Sequence, residues 1–260
     1  FDRITRPEQI LSSLPQAIQV MLDQADCGPA TISMSQDVQG EAFDYPEIFF
    51  EERVHEIRRI YPDQNQIIKA MAIIRKSKQP IIISGGGVLY SEAEKELSAF
   101  AKKHNIPVTP TIMGIGCMDR DDPYNIGPIG GLGVGSANSL SKDTDLAIAV
   151  GTKLGDFTTG SWTNFQNPDF KLVSINAARF DVTKHQATPV VSDAKIGLNE
   201  ISKSLGDWKA PDHWYQRAVK EAKEWDQYVE KKSGPTNQGV PSYAHAVGAV
   251  YRKADPSDIV

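Results

Sequence analysis

The strongest constraint on the fold is a run of alternating helix and strand patterns that begins at Pro62. Some windows of this run repeat apolar residues at helical spacing, and others are short apolar stretches bounded by turn residues. The predicted strands cover residues 80–84, 106–109, 145–150, 171–175 and 189–191. Because this alternation is typical of parallel sheets, the sequence predicts an α/β fold: a Rossmann-like parallel sheet with helices on both faces.

Three helix starts in this run are predicted from capping residues. Asp63 and Asp193 each precede a helical pattern, and Gly206 ends the second of these helices. The spacing of Ser91 and Glu94 is typical of a capping box, so a third helix is expected to start there.

The carboxyl edge of the predicted sheet is where ligands are expected, because right-handed crossovers bring the carboxyl ends of parallel strands to that edge. Gly85, Gly86 and Gly87 follow a predicted strand and precede a helix, so their backbone could approach a phosphate closely. Tyr90 occupies the last glycine position of a GxGxxG pattern. The alternative is a tight turn that binds nothing.

Two further strand ends are candidate binding loops. Gly130 and Gly131 lie in a long glycine-rich segment, a kind of loop that is often functional; close packing of a helix on the sheet is the alternative. Thr152 and Lys153 follow the strand at 145–150, in a loop that lacks the GxxxxGK[ST] pattern. The predicted cofactor contacts are therefore Gly85, Gly86, Gly87, Gly130, Gly131, Thr152 and Lys153.

The common catalytic and dinucleotide patterns are missing from the sequence. A dinucleotide site usually places an acid after a following strand to hold a ribose hydroxyl, but Asn176 stands there, which counts against NAD and FAD. The sequence has no HExxH, no GxSxG and no histidine pair at metal spacing. We therefore assign no catalytic residue and no metal ligand in this chain.

The composition indicates which classes of partner and which cellular compartment to expect. The net charge of -5 and the absence of a Lys/Arg cluster argue against nucleic acid. No window approaches the roughly 18 apolar residues of a membrane span. The two cysteines, Cys27 and Cys117, form no CxxC pattern, which favours a reducing compartment such as the cytoplasm.

The segments on either side of the alternating run have a different pattern. A helix that Pro15 is expected to kink or divide precedes a strand at 30–34, and a charged helix near 212–232 precedes a linker, a helix at 243–252 and a strand beginning at 258–260. The expected divisions are 1–46, 47–61, 62–206, 207–239 and 240–260. Because the chain opens on Phe1 and closes on a strand pattern, we expect an internal piece of a longer protein.

Residues 78–198 resemble the middle domain of the thiamine-diphosphate enzymes related to acetolactate synthase. The matching stretches are 80–88, 105–109, 127–131, 143–151 and 191–193, in that order. Residues 27–38 resemble the last strand of the family's pyrimidine-binding domain, with Gln36 where relatives have Pro, and 240–260 resemble the start of the diphosphate-binding domain. Ser192 stands before Asp193 where relatives tend to have Gly.

Residues 39–46 and 160–165 are most similar to family members that open a cyclic 1,2-dione ring in myo-inositol breakdown. This resemblance implies attack by the cofactor's C2 carbanion on a carbonyl, cleavage of the adjacent C–C bond and release of an open-chain deoxy sugar acid by water. It also implies thiamine diphosphate and Mg²⁺ as cofactors, a cyclic polyol-derived dione as substrate, and a homodimer or homotetramer.

The family's catalytic Glu and its Mg²⁺-binding segment have no counterpart in residues 1–260, so this portion alone is expected to be inactive and to bind no cofactor tightly. Three alternatives stay open. These are an acetolactate synthase-like enzyme of 2-oxo acids, a Rossmann-like module that binds FAD or ADP, and a structural spacer that binds nothing.

Overall fold

The computed structural model describes residues 1–236 and 239–255 and has two parallel sheets. The strands are β1 (Asp2–Ile4), β2 (Ile32–Met34), β3 (Pro80–Ser84), β4 (Val108–Pro110), β5 (Leu146–Val150), β6 (Lys171–Asn176) and β7 (Thr188–Val191). β1 pairs with β2, and the other five form one parallel sheet in the order β4-β3-β5-β6-β7. The predicted parallel α/β sheet is therefore confirmed.

The helices are α1 (Ile10–Leu22), α2 (Gln36–Gln39), α3 (Gln64–Ile74), α4 (Gly86–Tyr90), α5 (Glu94–His104), α6 (Gly135–Asp143), α7 (Asp156–Thr159), α8 (Ala194–Leu205), α9 (Asp212–Ser233) and α10 (Tyr243–Tyr251). Within the described ranges, no helix combines the length and apolar character needed to cross a bilayer. The strand predicted at 258–260 and residues 237–238 of the predicted linker lie outside the described residues.

The sheet is covered on both faces, as predicted. Every residue of β3 and β5 is buried, and successive side chains point to opposite faces. Ile82 and Ile148 pack in one cluster with side chains of α3, α5 and α8. Ile81 and Ala147 pack in a second cluster with side chains of α6 and α9. These continuous apolar strands are what a parallel sheet covered on both sides requires.

The long charged helix α9 is fixed to the sheet by Trp214. This side chain is fully buried, and its Nε1 donates a hydrogen bond to the Pro80 carbonyl at 2.9 Å. The buried indole therefore packs apolar surface against the sheet while its one polar atom is satisfied. Ala218, one turn further along, is also buried.

Two of the three predicted helix caps are confirmed. The Asp63 carboxylate accepts from the Asn65 amide at 2.8 Å, and the Asp193 carboxylate accepts from the Ile196 amide at 3.1 Å. The predicted capping box at Ser91 is wrong, because α5 begins at Glu94 with no side-chain cap. The Ser91 hydroxyl instead accepts from the Ala194 amide at 3.3 Å and so joins α4 to α8.

The N-terminal segment, residues 1–46, differs from its prediction in two ways. Pro15 was predicted to kink or divide the first helix; it does not divide it, because α1 runs unbroken through Pro15. A proline removes one intrahelical bond, and the bonds on either side hold the helix together here. Strand β1 was not predicted; it is three residues long and pairs Arg3 with Ser33 of β2.

His104, at the end of α5, is a fully buried and hydrogen-bonded histidine. Its Nδ1 lies 2.7 Å from the Trp208 carbonyl and its Nε2 lies 3.0 Å from the Ser202 hydroxyl. Burial lowers the pKa of His104; the bond to Trp208 acts against this, and the charges of Lys103 and Lys209 lower the pKa further. The folded protein therefore favours the neutral ring.

The buried neutral His104 makes stability depend on pH. The pKa in the folded state lies below the unfolded value of about 6.5, so the unfolded chain binds the proton more readily. We expect the free energy of unfolding to decrease as pH falls below about 6.5 towards the lowered folded-state pKa. Urea unfolding at pH 7.5 and pH 5 measures this decrease.

Two variants assign the effect to one ring. His104→Gln removes the titrating group. The free energy of unfolding of this variant is therefore expected to decrease less between pH 7.5 and pH 5 than that of the unaltered protein. His213→Gln, at an exposed position of α9, is the control and should keep the full decrease. An identical decrease in both variants would contradict the assignment.

Candidate functional site

The centre of the carboxyl edge lies between β3 and β5. The chain leaves β3 for β4 on one side and later returns to β5 on the other, so the connections diverge at this point. Open parallel sheets commonly bind ligands at such a switch point. The register pairs Ser84 with Val150 at the two strand ends. The predicted loops at 85–87 and 151–153 therefore start side by side.

These two loops contact each other through their backbones. The Gly85 amide donates to the Val150 carbonyl at 2.8 Å, and the Gly87 amide donates to the Gly151 carbonyl at 2.9 Å. A Cβ atom at Gly87 would lie 2.6 Å from the Gly151 Cα, and one at Gly85 would collide with the Gly151 carbonyl oxygen. Gly85 and Gly87 thus close the switch point, and their amides are already engaged within the protein.

The loop after β4 folds against the same strand end. The Thr111 amide donates to the Ser84 carbonyl at 2.8 Å, and the Cys117 thiol lies 3.0 Å from the Ser84 hydroxyl. A Cβ at Gly86 would lie 3.1 Å from the Met113 carbonyl. Burial raises the pKa of the Cys117 thiol, and its bond to Ser84 offsets this only in part. The thiol is therefore held protonated and is a packing group.

Gly130 and Gly131 are also bound within the protein. The Asn138 side chain of α6 accepts from the Gly130 amide at 2.9 Å and donates to the Gly130 carbonyl at 3.0 Å. The Gly131 amide donates to the Phe157 carbonyl at 2.7 Å. Gly130 has φ +109°, a conformation that favours glycine. The segment therefore connects the loops after β4 and β5.

Thr152 and Lys153 differ in what they present to a ligand. Thr152 is buried, and its hydroxyl accepts from the Leu154 amide at 3.3 Å. The Lys153 side chain is 80% exposed, and its Nζ lies 3.9 Å from an Asp181 carboxylate oxygen. Such an exposed pair is weak, so the Lys153 ammonium is available to an anion at this edge.

Asn176 uses both ends of its amide group within the protein. Its Nδ2 donates to the Thr152 carbonyl at 3.1 Å, and its Oδ1 accepts from the Ala178 amide at 2.9 Å. A ribose hydroxyl at this position would have to displace one of these bonds. The absence of a dinucleotide at this position stays a prediction.

The loops that surround the switch point carry features that the sequence did not predict. The exposed apolar side chains of these loops are Ile112, Met113, Ile115, Leu132, Phe157 and Phe180. Non-glycine residues with positive φ in the loops after β5 and β6 are Leu154, Ser161, Trp162, Phe165, His185 and Gln186. Each such residue costs energy, and residues of this kind are often found at functional sites. Glycine and asparagine would have signalled this conformation, but neither occurs at these six positions.

Trp162 and His185 join the loops after β5 and β6. Their rings lie 4.4 Å apart in an edge-to-face arrangement. The His185 Nε2 lies 3.0 Å from the Leu154 carbonyl. The two loops with left-handed residues are therefore one packed unit beside Lys153.

A groove of about 590 Å³ lies away from the switch point, between α6 and α9. The charges of Arg217 are paired with Glu221 and Asp143, each at 2.6 Å, and Lys220 lies 3.8 Å from Glu224. Arg217 is therefore satisfied within the protein, whereas Lys220 forms an exposed pair that is as weak as that of Lys153. Among residues 1–236 and 239–255, no group of three or more His, Cys, Asp and Glu is arranged to hold a metal ion.

The closure of the switch point predicts the effect of two glycine substitutions. Gly87→Ala would force a methyl group into the backbone of Gly151, and overpacking of this kind costs about 1 to 3 kcal/mol of stability. Gly131→Ala is the matched control, because its Cβ would have ordinary contacts at 3.8 Å and 3.9 Å from Phe157. Urea unfolding of both variants measures the difference. Equal stabilities would contradict the packing role of Gly87.

Comparisons with known proteins identify the family of this fold. The profile described as "Thiamine pyrophosphate enzyme, central domain" matches residues 67–201. The chain is 41% identical over 249 residues to the 3D-(3,5/4)-trihydroxycyclohexane-1,2-dione hydrolase of Clostridium tetani. The aligned region covers 92% of this chain and 38% of that protein. The chain is 39% identical to the protein of that name from Geobacillus thermodenitrificans (96% and 40%) and 45% identical to that from Clostridium botulinum (79% and 32%).

The chain thus spans about two fifths or less of the length of the curated relatives that it matches. The profile covers more than half of the chain, and the relatives exceed the identity at which family membership is secure. The chain therefore belongs to the thiamine pyrophosphate enzyme family and carries that family's central domain in residues 67–201.

Proposed function

We propose that this chain is part of a thiamine-diphosphate-dependent hydrolase that cleaves a C–C bond of trihydroxycyclohexane-1,2-dione in myo-inositol breakdown. The observation that carries the proposal is the extent of the similarity. The match to the Geobacillus hydrolase covers 96% of the chain, whereas the family's central domain accounts for residues 67–201. The flanking segments therefore share the likeness to these hydrolases.

Thiamine diphosphate, when bound, would supply the nucleophilic carbon and the electron sink for this cleavage. We propose that it and Mg²⁺ are held mainly by parts of the protein outside residues 1–260. The engaged amides of Gly85, Gly87, Gly130 and Gly131 support this division, because a diphosphate needs free donors. The product would be an open-chain deoxy sugar acid.

The role that we propose for this chain is to place the carboxyl edge of its sheet next to the cofactor-bearing domains. Of the seven predicted contacts, Lys153 presents an exposed charged group, and Gly131 is exposed to solvent. Gly86 and Thr152 belong to the same edge but are covered by neighbouring loops. That these residues face a ligand stays a prediction.

We propose the following division of the chain. Residues 1–46 would end the pyrimidine-binding domain, 47–61 connect, 62–206 form the middle domain, 207–239 form a helix and linker, and 240–260 begin the diphosphate-binding domain. We also propose a cytoplasmic homodimer or homotetramer. The free thiols of the exposed Cys27 and the buried Cys117 support a reducing compartment.

The reaction is tested with the full-length protein that contains this chain. We expect it to consume the cyclic dione and release acid, measured by titration at constant pH, only when thiamine diphosphate and a divalent cation are present. Removal of the cation with a chelator should abolish the activity, and its return should restore it. Turnover of pyruvate with no turnover of the dione would instead favour an enzyme of 2-oxo acids.

The location of the cofactor site is tested with residues 1–260 alone. Because the strand-end amides are engaged, we expect calorimetry with thiamine diphosphate and Mg²⁺ to give no binding in the micromolar range. The full-length protein is the positive control. A micromolar dissociation constant for residues 1–260 would contradict the proposed division of labour.

A further inference from the structure

Two residues of the connector (residues 47–61), Arg59 and Ile60, form hydrogen bonds to the turn after α4, to the start of α8 and to the N-terminal segment. The Arg59 guanidinium donates to the Ser91 carbonyl at 2.7 Å and to the Asp193 carboxylate at 2.9 Å. The Ile60 carbonyl accepts from the Asp193 amide at 2.9 Å and from the Ser192 hydroxyl at 3.1 Å. The connector is therefore bound to the start of α8 and to the turn after α4.

Gln24 adds the N-terminal segment to this network. Its Nε2 donates to the Asp193 carboxylate, and its Oε1 accepts from the Ile60 amide at 3.1 Å. Both polar ends of one side-chain amide are thus used, which fixes its orientation. Gln24 lies two residues after the end of α1, so these bonds hold that end of the helix against the connector and α8.

The Asp193 carboxylate is the centre of the network. It is fully buried, and it accepts from the Ile196 amide as the cap of α8 as well as from Arg59 and Gln24. A buried carboxylate needs such partners, because each one removed leaves part of its charge uncompensated. Asp193 lies two residues after the end of β7, so the network lies at the carboxyl edge of the sheet.

We propose that Gln24, Arg59 and Asp193 form a latch that fixes the N-terminal segment at the carboxyl edge, and that Gln24 is thereby a positioning residue for catalysis. The catalytic part of this inference rests on the proposed function, in which residues 1–46 end the domain that binds the cofactor's pyrimidine. The latch itself rests on the contacts of Gln24. Gln24 acts through the position of the segment and touches no substrate.

The test uses the full-length protein with Gln24→Met and, as a matched control, Gln19→Met. Methionine keeps the length of the side chain and removes both hydrogen bonds. Gln19 is exposed on α1, so the same change there leaves the network intact. Hydrogen exchange reports the protection of the Ile60 amide, with the amides of β3 and β5 as an internal reference for global stability.

We expect Gln24→Met to lower the protection factor of the Ile60 amide by about tenfold, because its acceptor is gone, and to leave β3 and β5 unchanged. In the dione assay we expect kcat to fall about tenfold with KM near that of the control, because small misplacements of reacting groups mainly slow the chemical step. Gln19→Met should match the unaltered protein in both measurements.

A second variant, Gln24→Glu, tests the donor end of the amide. It keeps an acceptor for the Ile60 amide but places a carboxylate beside that of Asp193. We expect reduced protection and reduced kcat at pH 8. Both should recover towards pH 5, where the introduced group gains a proton and donates again; the unaltered protein and Gln19→Met, measured at the same pH values, correct for other titrations.

Protection factors in Gln24→Met equal to those of the control would overturn the latch. Reduced protection with the kcat and KM of the control would overturn its positioning role. If the unaltered full-length protein does not turn over the dione, the proposed function fails, and the protection factors still decide whether the latch exists.

Discussion

The backbone contact between the loops after β3 and β5 is the constraint on which the carboxyl edge depends. Gly87 and Gly151 approach so closely that a single methyl group would separate them. This contact allows β3 and β5 to pair along their full length, from Pro80 opposite Leu146 to Ser84 opposite Val150. The loops after β4 and β5 then meet through the bond between Gly131 and Phe157. The glycines at this edge thus make packing possible, and the groups left for a ligand are side chains such as that of Lys153.

Much of the fold follows from local patterns in the sequence. The strand predicted at 80–84 coincides with β3, and that predicted at 145–150 contains β5, because both are continuous apolar runs. The caps at Asp63 and Asp193 were predicted because they depend on residues two or three positions away. β4 lies later in the chain than predicted, at Val108–Pro110, because its extent is set by pairing with β3.

The candidate site was less predictable, since its geometry depends on distant partners. The sequence indicated which glycines follow strands, but it did not show that the amides of Gly85 and Gly87 bond to the neighbouring strand and loop, more than sixty positions away. The left-handed backbone of Trp162 and His185 has no sequence signal, because tertiary contacts impose it on residues that rarely adopt it. Gln24 and Asp193 are 169 positions apart, so no local pattern joins them.

Helix α9 determines the position from which the following part of the chain starts. It begins at the amino edge, where Trp214 meets Pro80, and runs antiparallel to α6 until Trp225 covers Gly135 near the carboxyl edge. Its 22 residues span about 33 Å at 1.5 Å per residue. The chain that follows therefore starts on the same side of the sheet as Gln24. Each residue of a helix also rotates the chain by about 100° about the helix axis. The length of α9 therefore sets both how far from the amino edge the helix ends and the direction in which the chain leaves it.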